Sequence, residues 1–402
     1  MLGAGQTSGE RMSNWIESLE EDLQAPIGAR RFGSGWFAGF FGLLLAIVGL
    51  CMVLSLRWPD WFSTPELNPV RAWPGFRLVV HLVLIASYAL ALLSLLLRPR
   101  KAIGMAALLV ALSASLLGGA GVQARETADW GIFFEIDFFA VNMAATGLMF
   151  APIERLLPHR SDQRLFRPEW GEDLFYYLVS SMLVQLLTFL ALAPSTLIMA
   201  HSGGFASLRA AIAGQPWLLQ FAEVMLLTDF VQYWFHRSFH RLPFLWGFHA
   251  VHHSATRMDW LAGSRMHFVE IILLRSVTSL PLLTLGFAPS VAQAYIGFIY
   301  VYASLVHANL RGDFDRIGAF VVTPRFHHWH HAIEEEAVDK NFAVHFPFLD
   351  RLFGTYHLPP GQWPTGYGVP ERVPHGYRAQ FLYPFRRKRL LAQSASGRET
   401  VG

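Results

Sequence analysis

The 402-residue sequence predicts an all-α fold: a polytopic membrane helical bundle of about eight spans, with a cytoplasmic, histidine-rich helical cap that holds a dimetal site. Three observations lead to it. Hydrophobic residues make up 53% of the chain and charged residues only 15%, whereas soluble domains contain about 25% charged residues. Apolar runs long enough to cross a bilayer recur along the chain. Of the 17 histidines, 11 lie between positions 236 and 331.

Eight apolar segments have the character of membrane-spanning helices, for which about 20 residues are needed. The fourth is short, and the sixth and seventh contain ionisable residues, which are costly inside a span and are therefore functional candidates. The predicted spans are Trp36 to Leu56, Leu78 to Leu97, Ala102 to Val122, Phe138 to Phe150, Leu174 to Met199, Leu218 to Phe235, Phe268 to Phe287 and Val291 to Val306.

A break near residue 130 predicts three regions. Residues 1–130 form an N-terminal polar segment and an accessory transmembrane module, whose spans alternatively only brace the rest. Residues 131–375 are expected to carry the chemistry. Residues 376–402 form a basic, partly disordered tail, which is expected to lie against anionic lipid because it contains Arg386-Arg387-Lys388-Arg389.

The basic residues predict the orientation in the membrane. Clusters precede span one and follow spans two, four and six, so alternating spans place them on one side, the cytoplasmic side by the positive-inside rule. Arg57, Arg71 and Arg77 fall on the other side and depart from this pattern. With the turn of the last hairpin near Ala288-Pro289, every histidine cluster emerges on the cytoplasmic side.

Composition also excludes several classes of site. Cys51 is the only cysteine, so an intrachain disulfide and cysteine-based zinc, haem-attachment or iron–sulfur sites are excluded. The net charge of +3 does not indicate nucleic-acid binding, because the basic residues sit in short clusters beside apolar runs.

Two histidine clusters share one spacing, His249-x-x-His252-His253 and His327-x-x-His330-His331, and His236-x-x-x-His240 precedes them. Positions i, i+3 and i+4 of a helix lie on one face, so each cluster is expected to direct several imidazoles toward one point. Imidazole is the commonest side-chain ligand for iron, zinc and copper. The interspersed aromatic residues do not suit a solvated histidine run, and the pattern therefore predicts a polyhistidine metal centre.

Four segments resemble the membrane fatty acid hydroxylase and sterol desaturase superfamily of di-iron oxygenases. Its three histidine boxes are matched, in order and at family-like distances, by residues 229–240, 245–254 and 323–331, and a common downstream segment is matched by Asp350-Arg351-Leu352-Phe353-Gly354-Thr355-Tyr356. The resemblance covers roughly residues 150–358.

The resemblance implies a set of metal ligands. His307 ends span eight, where the family often supplies a further ligand, although Ala303 replaces a second histidine that some members have four residues earlier. His267 lies in a segment where Phe268 replaces a family proline. His328 occupies a variable position and is expected to face away. The implied ligands are His236, His240, His249, His252, His253, His267, His307, His327, His330 and His331.

Asp229 is the candidate catalytic residue outside the histidines. It lies seven residues before His236, two turns back on the same helix face, and is expected to accept a hydrogen bond from the distal N–H of a ligand. The alternative is an ion pair with a nearby arginine. Glu270 is expected to form a structural pair with Arg265 or Arg275.

Eight or more ligands imply two metal ions, and an all-histidine site suits non-haem iron. The resemblance then implies two iron ions, O2 as oxidant, and hydroxylation, which we favour, or desaturation of an apolar lipid substrate. The sequence contains neither the His-Pro-Gly-Gly segment of a fused cytochrome-b-like domain nor a dinucleotide fingerprint. The two electrons are therefore expected from a separate donor, a ferredoxin or a reductase with a small haem protein.

The alternative function is a divalent metal transporter, or a metal-binding membrane protein without redox activity. A transporter would place its ligands in the middle of the membrane, whereas these histidines cluster beyond the ends of spans. A zinc protease is a weaker alternative, because the sequence has no His-Glu-x-x-His.

Overall fold

The computed structural model describes residues 35–63, 67–98, 101–122, 136–182, 206–312 and 314–398. The regular structure of these residues is helical and includes no β-strand, although an isolated bridge pairs Ala332 with Tyr367. The predicted all-α class is confirmed to that extent. The chain divides into two compact units, Met1–Arg167 and Pro168–Gly402. The domain boundary predicted near residue 130 lies outside the described residues and stays a proposal.

The first unit is built from closely packed apolar helices. A Cβ atom added at Gly39 would lie 2.6 Å from Ser94 Oγ, and one at Gly42 would lie 3.0 Å from Ala91 N, so these glycines permit the close approach of neighbouring helices. Ser87 Oγ also donates to Gly42 O across 3.0 Å. The described helices of this unit are α1 (Trp36–Arg57), α2 (Pro59–Phe62), α3 (Asn68–Ala72), α4 (Pro74–Leu97), α5 (Ala102–Leu116) and α6 (Ile136–Leu156).

The second unit contains every histidine of the predicted metal centre. Several of its helices begin with proline, whose fixed φ suits the first helical position. In the described residues its helices are α7 (Trp170–Met182), α8 (Ala206–Ala213), α9 (Trp217–Arg241), α10 (Pro243–His253), α11 (Phe268–Leu285), α12 (Pro289–His307), α13 (Pro324–His330), α14 (Phe348–Leu352) and α15 (Tyr377–Arg398).

Five described helices are long and apolar enough to cross a membrane: α1, α4, α5 with its continuation to Gly121, α11 and α12. A sixth span is possible if α8 and α9, which meet at a bend of 120°, are counted together. The fifth predicted span, Leu174 to Met199, lies partly outside the described residues, and α6 is not among the five. The protein is therefore an integral membrane protein, while the count of eight spans stays a proposal.

The ends of α9, α11 and α12 position the metal centre. Gly286, at φ +78°, ends α11 in the left-handed conformation that glycine adopts readily, and Pro289 starts α12, which places the hairpin turn where it was predicted. Val224 packs against Val291 and Tyr295, so α9 lies along this hairpin. The centre itself rests on an apolar cluster of Tyr233, Val306, Val322, Phe326, Phe342, Ala343 and Leu349.

Candidate metal centre

Nine of the ten predicted ligands form two groups in the folded chain. Within each group the nitrogen atoms that face one another all lie within 4.8 Å. We call them the five-histidine site and the four-histidine site. The five-histidine site consists of His236, His240, His249, His253 and His330, and the four-histidine site consists of His252, His307, His327 and His331.

The histidine boxes are divided between the two sites. In the second box, His249 and His253 enter the five-histidine site and His252 enters the other. In the third box the division is reversed, because His327 and His331 enter the four-histidine site and His330 enters the five-histidine site. The expectation that each cluster directs its imidazoles toward one point is therefore wrong. Neighbouring helix positions differ by about 100°, so consecutive histidines diverge into different sites.

Close contacts between Nε2 atoms characterise both sites. In the five-histidine site, His249 Nε2 lies 3.0 Å from His236 Nε2 and 3.1 Å from His253 Nε2. In the four-histidine site, His307 Nε2 lies 2.9 Å from His327 Nε2 and 3.4 Å from His252 Nε2. Two nitrogens bound to one ion at about 2.1 Å are about 3.0 Å apart at a right angle and about 3.4 Å apart at the tetrahedral angle. These separations match two ligands of one metal ion.

Acceptors on the far side of the rings fix which nitrogen carries the proton. Each of five histidines has a carbonyl or carboxylate oxygen within reach of its Nδ1, so its Nδ1–H donates and its Nε2 keeps a lone pair. The pairs are His236 Nδ1 to Phe342 O at 3.0 Å, His249 Nδ1 to Glu270 Oε1 at 2.7 Å, His252 Nδ1 to Arg265 O at 3.1 Å, His307 Nδ1 to Ala303 O at 2.7 Å and His330 Nδ1 to Lys340 O at 2.8 Å.

This assignment tests whether the residues suit a metal ion. Because both Nδ1–H groups of His236 and His249 donate outward, their Nε2 atoms direct two lone pairs at each other across 3.0 Å. His252 and His307 do the same in the four-histidine site. Facing lone pairs repel unless a cation lies between them. The buried Nε2 atoms of His240 and His330 also lack a hydrogen-bond partner. The donor sets therefore fit one transition-metal ion in each site.

Burial keeps the imidazoles neutral. Desolvation is the largest cause that lowers the pKa of the histidines well below the ordinary value of 6.5, and repulsion between neighbouring rings lowers it further. Metal ligation requires this neutral form. Among the histidines of the two sites, those outside the candidate spans whose pKa is lowered in this way are His249, His252, His253, His327, His330 and His331.

Glu270 is a site residue whose role sequence reasoning missed. Its buried carboxylate accepts from His249 Nδ1 rather than pairing with an arginine, so the predicted structural pair is wrong. Arg265 instead pairs with Asp173 and Glu169, and Arg275 donates to Tyr300 Oη at 2.8 Å. The available signal was an acidic residue in the first turn of a mostly apolar span, a position where such a residue calls for a functional explanation.

Among the described contacts, Asp229 bonds to no histidine of either site. Its carboxylate accepts from two backbone amides, Val344 N and Phe346 N, each at 2.7 Å. The predicted bond to the distal N–H of a ligand is therefore not formed, and neither is the alternative ion pair with an arginine among the described contacts. The carboxylate of Asp229 thus meets the loop after the third histidine box instead of a ligand.

His267 and His328 lie outside both sites. His267 caps α11 by accepting from Val269 N at 3.2 Å, and its Nε2 lies 3.0 Å from Phe381 O, so both ring nitrogens are occupied. With both ring nitrogens bonded elsewhere, His267 is not placed to bind a metal ion, contrary to the prediction. His328, which was expected to face away, contacts Tyr367 Oη at 2.8 Å and His307 O at 3.2 Å.

Apolar helices and two buried polyhistidine groups indicate a membrane protein that could hold metal ions, and comparisons show which proteins it resembles. Residues 221–355 match the family model described as fatty acid hydroxylase. The chain is 28% identical to ornithine lipid hydroxylase OlsE of Rhizobium tropici over 254 residues, which are 62% of this chain and 76% of that protein. It is 33% identical to alkylglycerol monooxygenase of Danio rerio over 140 residues, 35% of this chain and 30% of that protein.

A plant protein, methylsterol monooxygenase 1-3 of Arabidopsis thaliana, is 27% identical over 148 residues, 34% of this chain and 47% of that protein. The chain thus spans about three quarters of the bacterial relative and less than half of these animal and plant relatives. No solved structure matches. Residues 221–355 thus resemble a fatty acid hydroxylase domain, and the relatives named here are hydroxylases and monooxygenases.

Proposed function

We propose that this protein is a membrane non-haem di-iron oxygenase that hydroxylates an apolar lipid with O2 and two electrons from a separate donor. The observation that carries the proposal is the pair of neutral imidazoles whose lone pairs face each other in each site, His236 with His249 and His252 with His307. Two such arrangements in adjacent groups suit two metal ions, and all-nitrogen ligation suits iron. With iron bound, the centre supplies activation of O2 and removal of hydrogen from an unactivated C–H bond.

The chain's own residues prepare the site for that chemistry. The acceptors behind the rings hold the imidazoles in one tautomer and one orientation, so little reorganisation is needed when substrate arrives. The aromatic rings of Trp246 and Phe342 pack against His240, and Phe239 packs against His249. Such packing keeps bulk water from the ligands and confines the oxidant to the substrate.

The substrate class follows from the relatives and from the position of the site. The named relatives act on an ornithine lipid, alkylglycerols and a methylsterol, which share an apolar body and residence in the bilayer. The five- and four-histidine sites lie at the ends of α9 and α12, and a position at the end of α12, a candidate span, would let a lipid approach from the membrane. Hydroxylation is favoured over desaturation because these relatives are named hydroxylases or monooxygenases.

The remaining parts of the proposal concern orientation and electron supply. The positive-inside pattern supports a cytoplasmic position for the sites. A soluble donor, a ferredoxin or a reductase with a small haem protein, would then reach them from the cytoplasm. A metal transporter is less well supported, because the ligands gather at helix ends and the relatives are oxygenases.

The test combines metal analysis with lipid profiling. Protein purified without oxygen from iron-supplied cells is expected to contain about two iron ions per chain. Cells that express the unaltered chain should accumulate a lipid heavier by one oxygen atom, and cells expressing His253→Ala should not. His375→Ala alters an exposed histidine and serves as the matched control. Bound haem, about one iron per chain, or identical lipid profiles would refute the proposal.

A further inference from the structure

The loop that follows the third histidine box touches only one of the two sites. Lys340 O accepts from His330 Nδ1 at 2.8 Å, Phe342 O accepts from His236 Nδ1 at 3.0 Å, and Asp339 Oδ1 lies 3.4 Å from His240 Nδ1. All three histidines belong to the five-histidine site. We call residues 339–346 the clamp segment. Among the described contacts, it makes no hydrogen bond to a histidine of the four-histidine site.

The backbone of the clamp segment requires outside support. Asp339 and Asn341 have φ values of 57° and 60°, in the left-handed region that residues other than glycine rarely adopt. Asp and Asn tolerate this conformation better than other residues with a side chain, but it still persists best where neighbouring groups hold it. Asn341 is buried, and its side-chain amide donates to Phe326 O at 3.1 Å and accepts from His357 N at 2.8 Å.

Two buried carboxylates provide the rest of that support. Asp350 accepts from Phe342 N at 2.8 Å and from Ala343 N at 2.9 Å. Asp229, from α9, accepts from Val344 N and Phe346 N, each at 2.7 Å. Neither carboxylate is exposed. The two acids thus bind four backbone amides of the clamp segment, and the carbonyls of that segment hold the ligands. Bonds from amides to an ionised carboxylate are stronger than bonds between neutral groups.

We propose that Asp229 and Asp350 are positioning residues for the five-histidine site alone, acting on its ligands through the clamp segment. This inference rests on the proposed two-metal function. Asparagine in place of either acid keeps one acceptor oxygen but turns an N–H₂ group toward a backbone N–H, so one of the two amides loses its partner. The carbonyls of Lys340 and Phe342 then lose their fixed position, and His330 and His236 lose their fixed direction.

The four-histidine site is held by other elements, and a substitution in one of them should weaken that site alone. His252 Nδ1 donates to Arg265 O, and His307 Nδ1 donates to Ala303 O, both outside the clamp segment. Gly263 lies close to the ring of His307, and a Cβ atom added there would be 2.7 Å from His307 Nδ1. Gly263→Ala is therefore expected to displace His307 and to weaken the four-histidine site without touching the clamp segment.

The experiment measures iron per chain and the rate at which a chelator removes it from the full-length protein. Asp229→Asn and Asp350→Asn should each lower the content from about two to about one, or release one of the two ions about tenfold faster or more, the range typical of lost outer-shell partners. Asp350→Asn is the second variant in case Asp229→Asn, in the middle of the long helix α9, does not fold. Size-exclusion chromatography checks the fold of both.

Double variants identify the site that is lost. Asp229→Asn combined with His240→Ala, which removes a ligand of the same site, should still hold about one ion. Asp229→Asn combined with His327→Ala, which removes a ligand of the other site, should hold none. Gly263→Ala combined with His327→Ala should still hold about one ion, and Gly263→Ala combined with His240→Ala should hold none. Retention of both ions at the unaltered rate, or equal loss of both, would overturn the inference. An unaltered chain holding fewer than two ions would instead refute the two-metal function on which it rests.

Discussion

His252 and His253 are consecutive residues of α10, yet their imidazoles belong to different metal sites. His253, of the five-histidine site, stacks on His331, of the four-histidine site, with ring centroids 4.3 Å apart. The second and third boxes each supply both sites, in opposite proportion. A shift of either box would therefore move ligands of both sites, and two ions bound there would share the same supporting helices.

This division predicts how single ligand variants lose metal. His252→Ala and His253→Ala should each reduce the iron content from about two to about one, and the double variant should hold none. Each single variant should lose at least about a hundredfold in activity, because the chemistry needs both ions. Iron per chain and turnover of a lipid extract are the measurements. Loss of both ions from one single variant would show that the sites do not fill separately.

The sequence predicted the positions of the helices and the set of histidines better than the direction in which each imidazole points. The apolar runs placed α1, α4, α11 and α12 within a few residues of their ends, because length and hydropathy are local properties. Nine of the ten proposed ligands came together in two groups. The division between sites could not be predicted, since it depends on how α10 and α13 approach each other.

Residues that act on the ligands through the backbone could not be predicted from the sequence either. The acceptors for His236, His252 and His330 are main-chain carbonyls, which carry no signal in the sequence. The bonds from Asp229 join residues 115 and 117 positions apart. His267 resembled a ligand because its segment matched the family, but its ring caps the helix that begins at the next residue.

Glu270 is expected to strengthen the five-histidine site through His249. Its carboxylate fixes the Nδ1–H tautomer and increases the basicity of Nε2. Glu270→Ala should weaken iron binding at that site about 10- to 100-fold, and Glu270→Gln, which keeps an acceptor oxygen, should weaken it less. Chelator competition measures both. Glu223→Gln, in α9 and bonded to Gln215, is the matched control; an equal effect there would contradict the assignment.

The histidines that face away from the sites should separate metal binding from histidine content. His328→Asn keeps polar atoms beside Tyr367 Oη and His307 O and should retain about two ions. His267→Asn can still cap α11 and should also retain them, with at most about 1 kcal/mol lost in stability. Iron analysis and thermal unfolding test both variants. Loss of an ion from His267→Asn alone would restore His267 to the ligand set.

Acid should unfold the metal-free protein, and the sign follows from the buried histidines. Their pKa values are lowered in the folded state, so below the ordinary value of 6.5 the unfolded chain binds more protons than the folded chain. Stability is therefore present above about pH 6.5 and falls as the pH drops below it, by up to about 1.4 kcal/mol per pH unit for each histidine. Thermal unfolding in detergent at pH 7.5, 6.5 and 5.5 measures this. An unfolding temperature that does not change would contradict neutral burial.

The orientation in the membrane is the last prediction, and surface cysteines can test it. Cys51 is buried in α1, and Cys51→Ala gives a background free of thiols. Glu335→Cys places a thiol on the exposed loop after the third box, and Ser290→Cys places one at the exposed start of α12, at the other end of that hairpin helix. If the positive-inside pattern sets the topology, an impermeant thiol reagent applied to intact cells should label position 290 and spare position 335 until the membrane is opened. Gly402→Cys should behave like position 335, because both termini are expected in the cytoplasm. Labelling of position 335 from outside would invert the topology and place the electron donor on the other side of the membrane.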